Sequence, residues 1–337
     1  MIKVDIFSGF LGAGKTTLIK KLIKEAYAGQ KIVLIENEFG EIGIDGGFLK
    51  DAGIEIKEMN AGCICCSLTG DFRTALKQVA DTYAPDRIII EPSGVGKLSD
   101  VASAVMSTEG VDFELNGLVT IVDASKCKMY MKNFGEFFDD QVSFAHTVIL
   151  SRTQKLTAEK VEEAASLLKA KNDKAAIVTA AWDAIDGKEI LAAIDGKDAL
   201  TEELHHMIHE HMEEDECDDP DCECHHHHHH DHDHEHHHHH HHHHDADEVF
   251  TSWGVETAKR YTEDEIKTVL KDFEDNEKFG FILRAKGIVE SSNGTWIHFD
   301  YTPGEVDIRT GSAALTGMLC VIGSNLNEEA VREEFKL

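Results

Sequence analysis

No 18-residue apolar run opens this sequence, and Lys3, Asp5 and a glycine-rich segment come too early for a secretory leader. A cytoplasmic protein is therefore expected. Basic residues are scarce as well: 33 Lys and Arg against 63 Asp and Glu leave a net charge of −30. That deficit argues against nucleic acid and anionic membranes as partners, because both are held by basic patches. It is sharpest from Glu202 to Glu248, which carries 17 acids and no Lys or Arg, so the remainder of the chain is only moderately acidic. Cysteine is present eight times, but in clusters. In a reducing compartment clustered thiols point to metal or thiol chemistry rather than to a disulfide framework.

What is present is enough for real cores. The chain has 337 residues, 42% of them hydrophobic, which suits one large or two ordinary domains. In the first 200 residues, apolar runs at 3–9, 31–36, 54–59, 87–92, 118–124, 147–151 and 175–180 read as strands. Helical periodicity at 15–27, 71–83, 97–107 and 157–171 alternates with them. Runs buried on both faces and interleaved with helices predict an α/β fold with a doubly wound, mostly parallel sheet. Residues 201–247 are acidic and rich in His and Cys, with a low-complexity tract at 225–244 that cannot bury a core, so a disordered linker is expected there. From 248 to 337 strand runs return with a capped helix at "TEDEIKTVLKDFE" and a closing helix at "NEEAVREEF", which predicts a small, mostly antiparallel α+β domain.

Gly9-Phe10-Leu11-Gly12-Ala13-Gly14-Lys15-Thr16 matches G-x-x-x-x-G-K-[ST] in full, between the first strand and the first helix. Such a loop turns backbone N–H groups inward around phosphates at a helix N-terminus. Lys15 is expected to reach the β- and γ-phosphates, and the Thr16 hydroxyl to ligate Mg²⁺. Glu91 ends "RIIIE", where an acid at a strand tip beside the P-loop can hold a magnesium-bound water. The polar loop "ENEFGEIGID" supplies Glu38 and Glu41 as candidates for orienting water or contacting metal.

Cys63, Cys65 and Cys66 crowd three thiols into four residues just before a helix. A helix N-terminus stabilises thiolates, and no second pair lies nearby to close a four-ligand zinc site. Three readings stand: an open three-thiolate site, a redox C-x-x-C and inert buried cysteines. The linker holds 17 His between His225 and His244, including His225, His232, His234 and His236, preceded by Cys217, Cys222 and Cys224. His205 and His209 would add an i,i+4 pair if 199–214 forms a helix. Imidazoles among carboxylates suit Zn²⁺, Ni²⁺ and Co²⁺ in labile sites, which reads as a metal-collecting tract, a solvated spacer being the alternative. Cys127 and Cys320 are expected in cores, and His146 and His298 stand alone.

In order, "GFLGAGKTT", "ENEFGEIGID", "GCICC", "EPSG" and "TIVDAS" resemble the CobW-type metallochaperone GTPases, relatives of UreG and HypB. "LRAKGIV" and "WIHFDY" resemble that family's C-terminal domain, and an acidic, His-rich insertion between domains is a family habit. The resemblance implies GTP hydrolysis coupled to binding and delivery of Zn²⁺, Co²⁺ or Ni²⁺ to a client metalloprotein, and a nucleotide-dependent homodimer. It assigns nucleotide and Mg²⁺ roles to Gly14, Lys15, Thr16, Thr17 and Glu91, and the transition metal to Cys63, Cys65 and Cys66. One departure stands out. The family's guanine-reading Asn/Ser-Lys-x-Asp appears here as Ser151-Arg152-Thr153-Gln154. An amide at 154 offers one acceptor and one donor where guanine calls for two acceptors. Arg152 can still stack its flat guanidinium on a base. GTP is the expected nucleotide, with ATP left open. A metal buffer with weak hydrolysis, or an ATP-dependent thiol switch, are the alternative functions.

Overall fold

The computed structural model describes residues 1–36, 55–58, 69–195, 249–311 and 316–337. Seven strands form the first sheet: β1 (Ile2–Ser8), β2 (Ile32–Glu36), β3 (Glu55–Glu58), β4 (Arg87–Glu91), β5 (Phe113–Asp123), β6 (Thr147–Ser151) and β7 (Ala176–Val178). Their order is β3-β2-β4-β1-β5-β6-β7, and every pairing is parallel. The order reverses at β1, so the loops leaving β1 and β4 open at the carboxyl edge, where ligands bind in sheets of this kind. Helices cover both faces: α1 (Lys15–Glu25), α2 (Thr69–Tyr83), α3 (Leu98–Met106), α4 (Cys127–Asn133), α5 (Gly135–Ser143), α6 (Ala158–Lys171) and α7 (Gly187–Asp195). Val4, Ile6, Ile88 and Ile90 serve one core and Phe7, Leu34, Ile89 and Val119 the other. A strand buried on both sides has to be apolar at successive positions, which is why these strands read as unbroken runs.

Midway along β1, the buried Asp5 carboxylate accepts from Arg87, from Tyr27 at 3.0 Å and from Asn116 at 2.8 Å. A charge placed in the core is tolerable when paired in this way. This network ties β1, β4 and β5 together.

The second sheet has the order β11-β10-β9-β12-β8, antiparallel throughout. Its strands are β8 (Phe250–Thr257), β9 (Phe281–Glu290), β10 (Trp296–Thr302), β11 (Glu305–Gly311) and β12 (Gly317–Ser324). Helices α8 (Glu263–Asp272), α9 (Asn276–Phe279) and α10 (Glu328–Glu334) close one side through Ile266, Leu270, Phe279 and Val331. α8 starts with a full capping box, in which Thr262 accepts from the Glu265 amide and the Glu265 side chain accepts from the Thr262 amide. Toward the first unit, Phe250, Leu283 and Ile322 enter the same core as Phe10 and Tyr130. Phe250 lies 6.2 Å from Phe10, 5.6 Å from Phe134 and 5.0 Å from Phe137, centroid to centroid. The two sheets thus share buried aromatic contacts that the strand pattern did not foretell.

Four helices lie where the sequence reading placed none, namely α4, α5, α7 and the short α9. Cys127, Tyr130, Phe134, Phe137, Phe138 and Val142 do recur at helical spacing and are buried. The bend at Phe134, with φ −137° and ψ 39°, divides this stripe into two short helices. β5 also extends five residues earlier than the apolar run at 118–124, beginning at Phe113, because its first part pairs with β1 across a register shift at Val4/Asp5.

Candidate functional site

The P-loop joins β1 to α1. Gly9, Gly12 and Gly14 have φ of 137°, 70° and 103°, conformations that side chains with a Cβ rarely adopt. At Gly9 a Cβ would also run into the backbone carbonyl of Ile121 on β5, so the loop presses directly against the neighbouring strand. Ala13 is buried and its amide bonds to the Phe10 carbonyl at 3.1 Å, closing the turn. α1 begins at Lys15 without a side-chain cap, leaving its first turn to meet an external anion, with Thr17 exposed beside it. The Lys15 ammonium lies back along the loop, donating to the carbonyl of Gly9 at 2.8 Å and that of Phe10 at 3.5 Å.

Thr16 donates its hydroxyl to Glu91 Oε1 at 2.9 Å. A hydroxyl and a carboxylate meeting in front of Lys15 form a hard-oxygen set, which is the donor chemistry that Mg²⁺ takes. β2 and β4 run in register so that Glu36 ends its strand directly opposite Glu91. The sequence reading passed over Glu36; the signal available was a second apolar run ending in Glu. After Glu91 the chain passes Ser93 and Gly96 into α3, whose first amides, Leu98 and Ser99, both donate to Asp140 Oδ1 at 2.6 and 3.2 Å. Gln141 donates to the Gly96 carbonyl at 2.7 Å, so α5 fixes the turn beyond Glu91 from behind.

Beyond β6 lies the segment predicted to meet the base. Ser151 is buried against the Val122 carbonyl, while Gln154 is exposed. Arg152 adopts φ 58°, uncommon for a residue with a side chain. Its Nη1 donates to the Gly12 carbonyl at 2.8 Å and to Asp123 Oδ2 at 3.0 Å, and its Nη2 meets Glu305 Oε2 at 2.7 Å. The N–H edge is thus committed to three acceptors, which fixes the plane whose face was expected to meet a base. Asp123, 1% exposed, also accepts from the Ser125 amide at 2.9 Å, so it both begins a turn and anchors Arg152. Trp182 bonds the Leu150 carbonyl through Nε1 at 2.9 Å and lies against Gly14.

The far wall comes from the second sheet, which no sequence motif announced. A cleft of about 560 Å³ is lined by Gly14, Lys15, Thr16 and Glu91 on one side and by Arg284, Asp300 and Glu305 on the other. Arg284 pairs with Asp300 through two bonds of 3.2 and 2.8 Å. Thr302 accepts from Lys126 at 2.7 Å, and its methyl stands 2.5 Å from where a Cβ on Gly12 would lie. Burial depresses the Lys126 ammonium despite the nearby Asp123. Glu305 meets Lys155 at 3.0 Å as well as Arg152. Burial alone would raise its carboxyl, but the hydrogen bond from Lys155 and the Arg152 charge outweigh this and hold it below the usual range.

Glu38, Glu41, Cys63, Cys65, Cys66, His205, His209, Cys217, Cys222, Cys224, His225, His232, His234 and His236 lie outside the described residues. Among the described residues no group of three or more His, Cys, Asp and Glu is arranged to hold a metal ion. Cys127 is buried, and burial together with Asp123 pushes its thiol up to about 11, which makes it inert packing. Cys320 is half-buried beside Ser252. His146 is buried, its backbone bonded to Leu118 and Ala176. Among the described residues no helix is long and apolar enough to cross a membrane.

Comparison with known proteins finds matches to both parts of the chain. The zinc chaperone YjiA of Escherichia coli (strain K12) is 35% identical over 170 residues, covering 48% of this chain and 53% of its own. The zinc chaperone CobW of Sinorhizobium sp is 34% identical over 187 residues, covering 47% and 52%. The chain thus spans about half the length of the curated relatives it matches. The crystal structure of Zn(II)-bound YjiA GTPase from E. coli aligns over 99% of this chain and 98% of that one, with 21% identity and a TM-score of 0.42. Residues 250–336 match the cobalamin synthesis protein cobW C-terminal domain. Residues 3–179 match the CobW/HypB/UreG nucleotide-binding domain, and the chain belongs to that family.

Proposed function

We propose that this protein is a GTP hydrolase that couples nucleotide turnover to binding a divalent transition metal and delivering it to a client metalloprotein. The observation that carries the reading is the Lys15, Thr16 and Glu91 constellation at a glycine-shaped loop, in a chain of this family. Lys15 would exchange the Gly9 and Phe10 carbonyls for phosphate oxygens. Thr16 and Glu91 would hold Mg²⁺, which supplies charge neutralisation on the β- and γ-phosphates. The α1 N-terminus favours the same negative charge, and Arg152 ties the P-loop to the base-reading segment.

Glu38 or Glu41 is assigned to orienting the attacking water, and Cys63, Cys65 and Cys66 to the cargo metal, with the linker His and Cys as labile collecting sites. Zinc is favoured as cargo because the similar curated proteins are named zinc chaperones. A coupling of about 1–3 kcal/mol between nucleotide state and metal site would change metal affinity 5–150-fold. A cytoplasmic location and a nucleotide-dependent homodimer complete the proposal.

The test is steady-state hydrolysis of GTP and ATP by the full chain, titrated with zinc, cobalt and nickel. Metal-stimulated GTP hydrolysis that is abolished by Lys15→Ala supports the reading. Hydrolysis indifferent to every metal, with metal bound equally well after deletion of 205–244, would sink the coupling and the collecting role together.

A further inference from the structure

We propose that Glu305, on the second sheet, is the guanine-specificity residue of this protein, supplying across the cleft the carboxylate that the base-reading segment lacks. The inference rests on the nucleotide reading above and adds the group that selects the base.

Guanine presents two adjacent donors on one edge, N1–H and the 2-amino group, where adenine presents an acceptor at N1. Reading guanine over adenine therefore calls for two acceptors side by side, which a carboxylate has and an amide lacks. Position 154, where the segment after β6 would carry that acid, is Gln. Glu305 opens β11 and reaches back to the same segment, pairing with Arg152 at 2.7 Å through Oε2 and with Lys155 at 3.0 Å through Oε1. Its two partners thus flank Gln154 in the chain, one on either side. A carboxylate has about four acceptor positions, so these two bonds orient it and leave two for a ligand. It lines the cleft that also holds Gly14, Lys15 and Thr16.

The other acids of this region are committed elsewhere. Asp300 and Asp307 pair with Arg284 and Arg309 of their own sheet rather than with the segment that carries Gln154, and Asp123 lies 1% exposed beneath Arg152. Glu305 is 37% exposed at its side chain, open enough to meet a base yet flanked by cations that keep it ionised.

The experiment is equilibrium binding of GDP, ADP and xanthosine diphosphate to the full-length protein and to Glu305→Gln. Xanthine keeps N1–H but carries a carbonyl in place of the 2-amino group, which suits one amide acceptor and one amide donor. The expected result is a GDP affinity lowered about 10–100-fold, the range a good bidentate base contact supplies, with xanthosine diphosphate gaining and ADP changed less than threefold. A second variant, Glu305→Ala combined with Gln154→Asp, returns the acid to the segment after β6 and is expected to recover most of the GDP preference. Equal weakening of all three nucleotides by Glu305→Gln overturns the inference, leaving Glu305 a clamp between the two sheets and the nucleotide reading intact. Wild-type protein that binds GDP and ADP alike also overturns it. Protein that binds none of them, with or without Lys15→Ala, removes the proposed function as well.

Discussion

The two ends of the cleft are built by different means. The phosphate end is one continuous stretch, Gly9 to Thr17, shaped by backbone conformation and a helix N-terminus, with Glu91 bonded to it from the next strand. The base end is assembled from distant pieces: Arg152 and Lys155 after β6, Asp123 from β5, and Glu305 and Thr302 from the second sheet. Backbone geometry written into nine residues tolerates little change, whereas a set of ion pairs can be redistributed between elements. Under the proposed roles, the grip on phosphate is kept fixed while the choice of base is free to move to another part of the chain.

Breaking the phosphate end should have the largest effect. Lys15→Ala is expected to lower kcat for GTP about 10³-fold, of the order lost when a preorganised donor to developing charge is removed. Stopped-time phosphate release would measure it, and a loss under tenfold would put the chemistry elsewhere. Cutting the connection between the two ends comes next. Phe250→Ala removes a ring that contacts Phe10, Phe134 and Phe137, and an aromatic truncation in a packed core costs about 3–5 kcal/mol. Thermal melting should show a drop of several degrees, and an unchanged midpoint would mean that the shared core contributes nothing.

The base end should fail more gently. Arg152→Ala frees the Gly12 carbonyl and Glu305 and leaves the buried Asp123 with Lys126 at 3.9 Å and Ser125. KM for the nucleotide is expected to rise roughly tenfold, about 1.4 kcal/mol, with kcat within threefold; a fall in kcat alone would place Arg152 at the phosphate end instead. The smallest effect is that of acid. Glu305 has a folded pKa below its unfolded value, so its contribution is complete above the usual carboxylate pKa and fades as pH falls through the lowered one. The melting difference between wild type and Glu305→Gln should be small, since these pairs are partly exposed, and should close as pH falls below the usual carboxylate range. A difference that persists once the carboxylates are protonated would show that charge is not its source.

The same contrast explains how much was legible in the sequence. The parallel sheet could be read because strands such as "RIIIE" and "TVILS" are buried on both faces, and the phosphate loop because its glycines are local necessities. The capping box at Thr262 announced α8 for the same reason. Glu305 was not legible. It is an ordinary turn-flanking acid, 150 residues from Lys155 along the chain, and its role depends on where one sheet meets the other. α4 and α5 escaped because the break at Phe134 divides a periodic stripe into pieces too short to stand out, although Tyr130 and Phe137 carried the signal.

The aromatic cluster has a further consequence. Phe10 belongs to the phosphate loop itself, and its neighbours within the same core include Phe250, Leu283 and Ile322 of the other sheet. Two architectures are joined by one buried core, so calorimetric unfolding is expected to proceed in one transition whose van't Hoff and measured enthalpies agree. Residues 1–200 expressed alone would bare the underside of the phosphate loop to water. The nucleotide-binding half therefore depends for its stability on a sheet that begins 72 residues beyond the end of its own last strand.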